Sequence, residues 1–131
     1  MPTGLALGEH MSAPEAERRA VEEFPVLRKL IDLRSTAQWS FFPVVTASEV
    51  TEIRGVRAWV HGWADALLVR HSSDAAALRV NPDDEIVWQQ DGGLADVVDR
   101  LNELPPPESS RAPSLAIARA DRLLWTPGRS L

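Results

Sequence analysis

Between Val56 and Gln89 the chain reads as short stretches of two-residue alternation separated by polar clusters, a pattern that favours an antiparallel sheet over a helix. Val56, Ala58 and Val60 alternate with Arg57, Trp59 and His61, giving a strand with two unlike faces. The stretches 66–70 and 75–80 flank His71-Ser72-Ser73-Asp74, whose short polar side chains suit a tight turn, so this is a hairpin. Asn81-Pro82-Asp83-Asp84 is a second turn signal. The run 85–89 that follows places Ile86 and Trp88 on one face of a further strand.

Helical spacing brackets this block. Ser12-Ala13-Pro14-Glu15 reads as a capping box, a serine hydroxyl accepting from an exposed N–H while glutamate three residues on reaches back. From there Ala16, Ala20, Val21 and Phe24, then Leu27, Leu30 and Ile31, recur at three- and four-residue steps. Pro25 lacks an N–H and turns Phe24 away from helical angles, so two helical segments with a break are expected. The stretch Trp39-Ser40-Phe41-Phe42-Pro43-Val44-Val45 is the most apolar of the chain, and its proline suits an extended edge or a connection on the core. After Gly92-Gly93, Leu94, Val97, Val98, Leu101 and Leu104 fall on one side of a helix opposite Asp96, Asp99, Arg100 and Glu103, until Pro105-Pro106-Pro107 stops it.

The expected fold is therefore α+β: an antiparallel meander of three to four strands with N-terminal helices and one C-terminal amphipathic helix packed on it. A single domain over 13–104 suits a chain of 131 residues, with 1–12 a disordered extension and 105–131 a proline-rich, partly ordered tail. Met11 immediately precedes the first helix signal, which makes residues 1–10 an expected upstream-start extension. A small meander also leaves unpaired edge strands that need covering, and dimerisation is one remedy.

Composition removes several classes of function. The chain has no cysteine, which excludes disulfides, thiolate nucleophiles and cysteine-ligated clusters. A formal charge of −5 opposes direct binding to nucleic acid. Neither a membrane span nor an export signal is visible, so a cytoplasmic location is expected. Lys29 is the only lysine beside thirteen arginines, the mark of a GC-rich source.

Candidate chemistry is sparse. His61, Asp65, His71 and Asp74 would form a metal or acid–base set if adjacent strands brought them together, but their spacing matches no ligand motif, and they read better as turn and surface residues. Gly92-Gly93 lacks the lysine and spacing of a phosphate loop, and there is no nucleophile elbow around any serine. The acid pairs Glu22-Glu23 and Asp83-Asp84 read as solvated. No catalytic, cofactor or metal residue is assigned, and the chain is not expected to be an enzyme. The outer face of the 94–104 helix, acidic at Asp96, Asp99 and Glu103, makes a poor reader of DNA.

The five tryptophans carry more information, since the chain has no tyrosine. Trp59 and Trp63 share strand parity with Arg57 and His61, opposite Val56, Ala58 and Val60, and either face suits the core. If the aliphatic face packs on the helix, Arg57, Trp59, His61 and Trp63 project outward as an interaction surface, because tryptophan beside arginine is typical of interface centres. If the N-terminal helices cover the other face, the rings are buried.

Trp63-Ala64-Asp65, the strand ending Ala77-Leu78-Arg79, Trp88 followed by Leu94-Ala95-Asp96-Val97-Val98, then Leu104-Pro105 and Leu124-Trp125-Thr126-Pro127 together resemble the small actinobacterial developmental regulators of the BldB type, over roughly residues 39–127. The resemblance implies a small dimerising, non-enzymatic regulator that acts with a DNA-binding partner; it transfers no site residue. The expected function is thus a regulatory or adaptor protein working through protein–protein contact, as a homodimer or with a different protein. The alternative is a small-molecule-binding domain with a tryptophan-lined pocket between sheet and helix.

Overall fold

The computed structural model describes residues 12–31 and 37–119. Helix α1 spans Ala13–Glu23, and its capping box forms as the sequence predicts: the Glu15 N–H donates to Ser12 Oγ at 3.2 Å and the Ser12 N–H to Glu15 Oε1 at 3.3 Å. Pro25 then ends α1 and opens a 3₁₀ turn, Pro25–Leu30, so the break occurs where proline removes a donor. Ala16, Ala20 and Val21 of α1 and Leu27 and Leu30 of the turn are buried, one stripe carried across the kink.

Six strands follow: β1 (Trp39–Thr46), β2 (Glu49–Ala58), β3 (Ala64–His71), β4 (Asp74–Val80), β5 (Glu85–Gly92) and β6 (Ala118–Arg119). They lie side by side in chain order, each antiparallel to its neighbour. The class is the one expected, but the strand count exceeds three to four. The apolar stretch around Pro43 is a full edge strand, where a proline is tolerated because one side of its backbone needs no partner. The Ala47-Ser48 turn, with both φ angles positive (53° and 70°), folds β2 back on it. At the other end the segment read as a tail supplies β6, held by the Ile117 N–H to the Ile86 carbonyl at 2.8 Å, so the sheet draws on residues past 104.

Helix α2 (Leu94–Glu103) buries Leu94, Val97, Val98 and Leu101, and its Leu94 N–H ties to the Ser72 carbonyl of the β3–β4 turn at 2.9 Å. With α1 and the 3₁₀ turn it covers one face of the sheet, where Phe41, Ile53, Leu67, Val69 and Ala77 complete the core. A smaller cluster, Ala66, Leu78, Val80 and Ile86, lies on the opposite face. No helix among the described residues is long and apolar enough to cross a membrane. Of the expected extension 1–12, residues 1–11 lie outside the described residues, as does the Leu124-Trp125-Thr126-Pro127 motif, while Ser12 caps α1.

Candidate functional site

Which face of β2 meets the helices decides the fate of the candidate surface. Arg57 pairs with Trp39 on β1 and with Asp65 on β3; Asp65 pairs with Arg79 on β4, and Arg79 with Trp88 on β5. Five strands therefore contribute one transverse row, Trp39–Arg57–Asp65–Arg79–Trp88, on the helix-covered face. Val56 and Ala58 point the other way. The condition under which Arg57 and Trp59 would have projected outward is not met, because a carboxylate on the next strand makes burial of the arginine face feasible.

Asp65 is the hub, with no exposed surface. Its Oδ2 accepts from Arg57 Nε at 3.0 Å, Arg57 Nη2 at 2.9 Å, Arg79 Nη2 at 3.0 Å and Trp59 Nε1 at 2.9 Å, while Oδ1 accepts from Arg79 Nε at 2.6 Å. Arg79, equally buried, donates its remaining Nη1 to the Pro105 carbonyl at 2.5 Å, so the chain leaving α2 is pinned over the cluster. The indoles supply the rest of the shell. Arg57 Cζ sits 5.0 Å from the Trp39 ring centroid and 4.8 Å from that of Trp59, and Arg79 Cζ 5.6 Å from Trp59, all within cation–π range.

Burial pushes the Arg57 guanidinium below its ordinary value, and the Asp65 charge opposes that shift. Asp65 accepts only from arginine and indole donors of this chain and has no exposed surface. The arrangement holds structure: it fixes three central strands, two indoles and one carbonyl around a single carboxylate.

The other candidates disperse. His61 lies exposed in the β2–β3 connection at φ 63°, and Gly62 beside it, at φ 87°, lies so close to Pro82 that an added Cβ would come within 3.2 Å. Trp63 is half-buried, and its carbonyl accepts from the Trp59 N–H at 2.8 Å. His71 stands at the far end of β3 from Asp65, roughly 20 Å along the strand, with its Nδ1 at 2.8 Å from Ser73 Oγ within its own turn. Asp74 is exposed across that turn. Among the described residues no three His, Asp or Glu side chains gather as a metal site.

Two surfaces of the described residues combine apolar and charged groups. The sheet face away from the helices carries Phe42, 41% exposed, and half-buried Val44, Val56, Leu68 and Ala76, with Arg54 and Arg70 beside them. Arg54 is held to Glu52 at 2.6 Å. A groove of about 370 Å³ runs between α1 and β1, walled by Trp39, Phe41 and Pro43.

Arg79 was not legible as a site residue, although an arginine, an aspartate and an arginine on three successive strands are the visible trace of the row. No family model, no curated protein and no solved structure matches this chain.

Proposed function

We propose that this protein is a non-enzymatic regulator or adaptor that works through protein–protein contact, docking by the helix-free face of its sheet. The observation that carries this reading is the unlayered strip on that face: register places Phe42, Arg54, Leu68 and Ala76 in one line across β1 to β4, with Val44 and Val56 alongside. Partly exposed aliphatic and aromatic groups beside arginine are the composition of an interface centre. The sealed, ion-paired carboxylate of Asp65 and the scattered histidines support a role without catalysis.

The partner is a second copy of the chain or a different protein; the resemblance to BldB-type regulators favours one that itself binds DNA, because the −5 charge of this chain opposes direct contact. The cytoplasm is the compartment in which such a partner would be met. Light scattering on the purified protein reads the first possibility as a doubling of mass. For the second, capture from the native lysate is compared between the parent and Leu68→Lys. Proteins retained by the parent and lost from the variant support the surface. An identical set from both, with a monomeric parent, removes it.

A further inference from the structure

Strand β1 is the end strand of the sheet, and its sequence WSFFPVVT contains no ionisable side chain. Natural edges are usually guarded by charge, by a bulge or by proline, and here the guards are Pro43 and the bulge after Val44. A proline sits within a paired strand where its missing N–H faces away from the neighbour. Pro43 therefore sets the parity: Trp39, Phe41 and Pro43 direct their main-chain groups outward, and Ser40, Phe42 and Val44 direct theirs to β2. Outward parity leaves two N–H donors and three carbonyls on the side of β1 that no strand among the described residues pairs.

The groove between α1 and β1 follows this edge, lined by all five residues 39–43 and, from α1, by Ala13, Pro14, Ala16 and Glu17. An independent observation marks it. Trp39 is 5% exposed, yet its Nε1 has no hydrogen-bond partner, an expensive state for a buried donor. Its Cε3 lies against Gly55 on β2, 3.3 Å from where a Cβ there would stand. In an indole, Cε3 and Nε1 lie on opposite edges, so the N–H edge is turned away from Gly55. Among the described residues of the lining, Glu17 is the only ionisable side chain.

The geometry points to a peptide-docking edge: β1 takes an extended segment of a partner protein as a seventh strand, with a basic side chain of that segment meeting Glu17. Main-chain pairing supplies the affinity and the groove supplies the selectivity, the mode of strand addition. This extends the interaction reading to a second surface, carried by different residues.

The test uses the ¹⁵N-labelled full chain and an end-capped octapeptide alternating valine and threonine with one central lysine. Saturable shifts are expected at the Phe41 amide and the Trp39 indole N–H. The glutamate counterpart of the peptide should bind about threefold more weakly, the size of an exposed ion pair, and Glu17→Gln should erase that difference. N-methylation of one alternate set of peptide residues should abolish binding while the other set tolerates it, because only one set faces β1. No shift at Phe41 with millimolar peptide overturns the proposal, as does equal loss from both methylated sets. Shifts confined to Leu68 and Ala76 also overturn it while leaving the helix-free face as the docking surface.

Discussion

Replacing Asp65 by asparagine keeps the shape of the side chain and removes its charge. Five N–H donors from three side chains converge on that carboxylate, and all five would then face a neutral amide with one oxygen and an added donor of its own. Arg57 retains 11% exposure and can turn partly to water; Arg79 has none, and keeps only the Pro105 carbonyl. Removing one member of a buried ion pair costs about 3–5 kcal/mol, and Arg57's access to solvent places the expected loss near the lower end, about 3 kcal/mol. Against a total of about 5–15 kcal/mol for a domain, the variant should remain folded in buffer but unfold early. With a urea slope of about 1–3 kcal/mol/M, the midpoint falls by about 1–3 M, and Trp59, bonded to the same carboxylate, reports it by fluorescence. A combined Arg57→Met, Asp65→Leu and Arg79→Met variant should recover most of the loss, since an apolar set of similar volume avoids desolvating charge. A loss under about 1 kcal/mol for Asp65→Asn, at unchanged slope, would refute the claim that the cluster is a desolvated unit.

Gly55→Ala places a methyl group 3.3 Å from the rings of Phe41 and Trp39; both are packed in the core, so thermal unfolding should show a loss of about 1 kcal/mol. Gly62→Ala combines φ 87° with a 3.2 Å approach to Pro82 and should cost about 1–2 kcal/mol in the same assay. Ser12→Ala removes the cap of α1, at about 1 kcal/mol in chemical denaturation. Glu15 is held below the usual glutamate range, first by the Ser12 side chain and then by its backbone. Its stabilising contribution is therefore complete above its unfolded-state value and lost as pH falls through the lower folded-state value. An NMR titration should find Glu15 among the more acidic glutamates, and in Ser12→Ala it should move up; an unmoved midpoint would count against the capping box.

Features written in neighbouring residues were the legible ones. The capping box at Ser12, the break at Pro25, the hairpin around residues 71–74 and the amphipathic face of α2 each depend on a few adjacent side chains, and each stands where the sequence places it. Strand β1 was harder, because a stretch apolar on both faces shows no alternation. The sixth strand is two residues long and leaves no pattern. The face of β2 was undecidable from β2 itself: Arg57 can turn inward because Asp65 lies opposite, and that pairing is a property of two strands. The Asp65–Arg79 pair is hidden further. His71 pairs with Asp74 at the turn, and extending that register up the hairpin would set Asp65 against Val80; a bulge between Val69 and His71 shifts the pairing so that Arg79 stands there instead.

A lone anion between two cations also discriminates among ways of threading the same strands. Sliding β3 by two positions against β2 would set Asp65 beside Gly55 or Trp59, and against β4 beside Ala77 or Asn81, none of which carries positive charge. Every such misalignment keeps the greasy side inward and looks acceptable to the hydrophobic effect, yet it would strand bare charges in the dry interior. The cluster thus adds an electrostatic penalty to misregistered sheets that burial alone would accept.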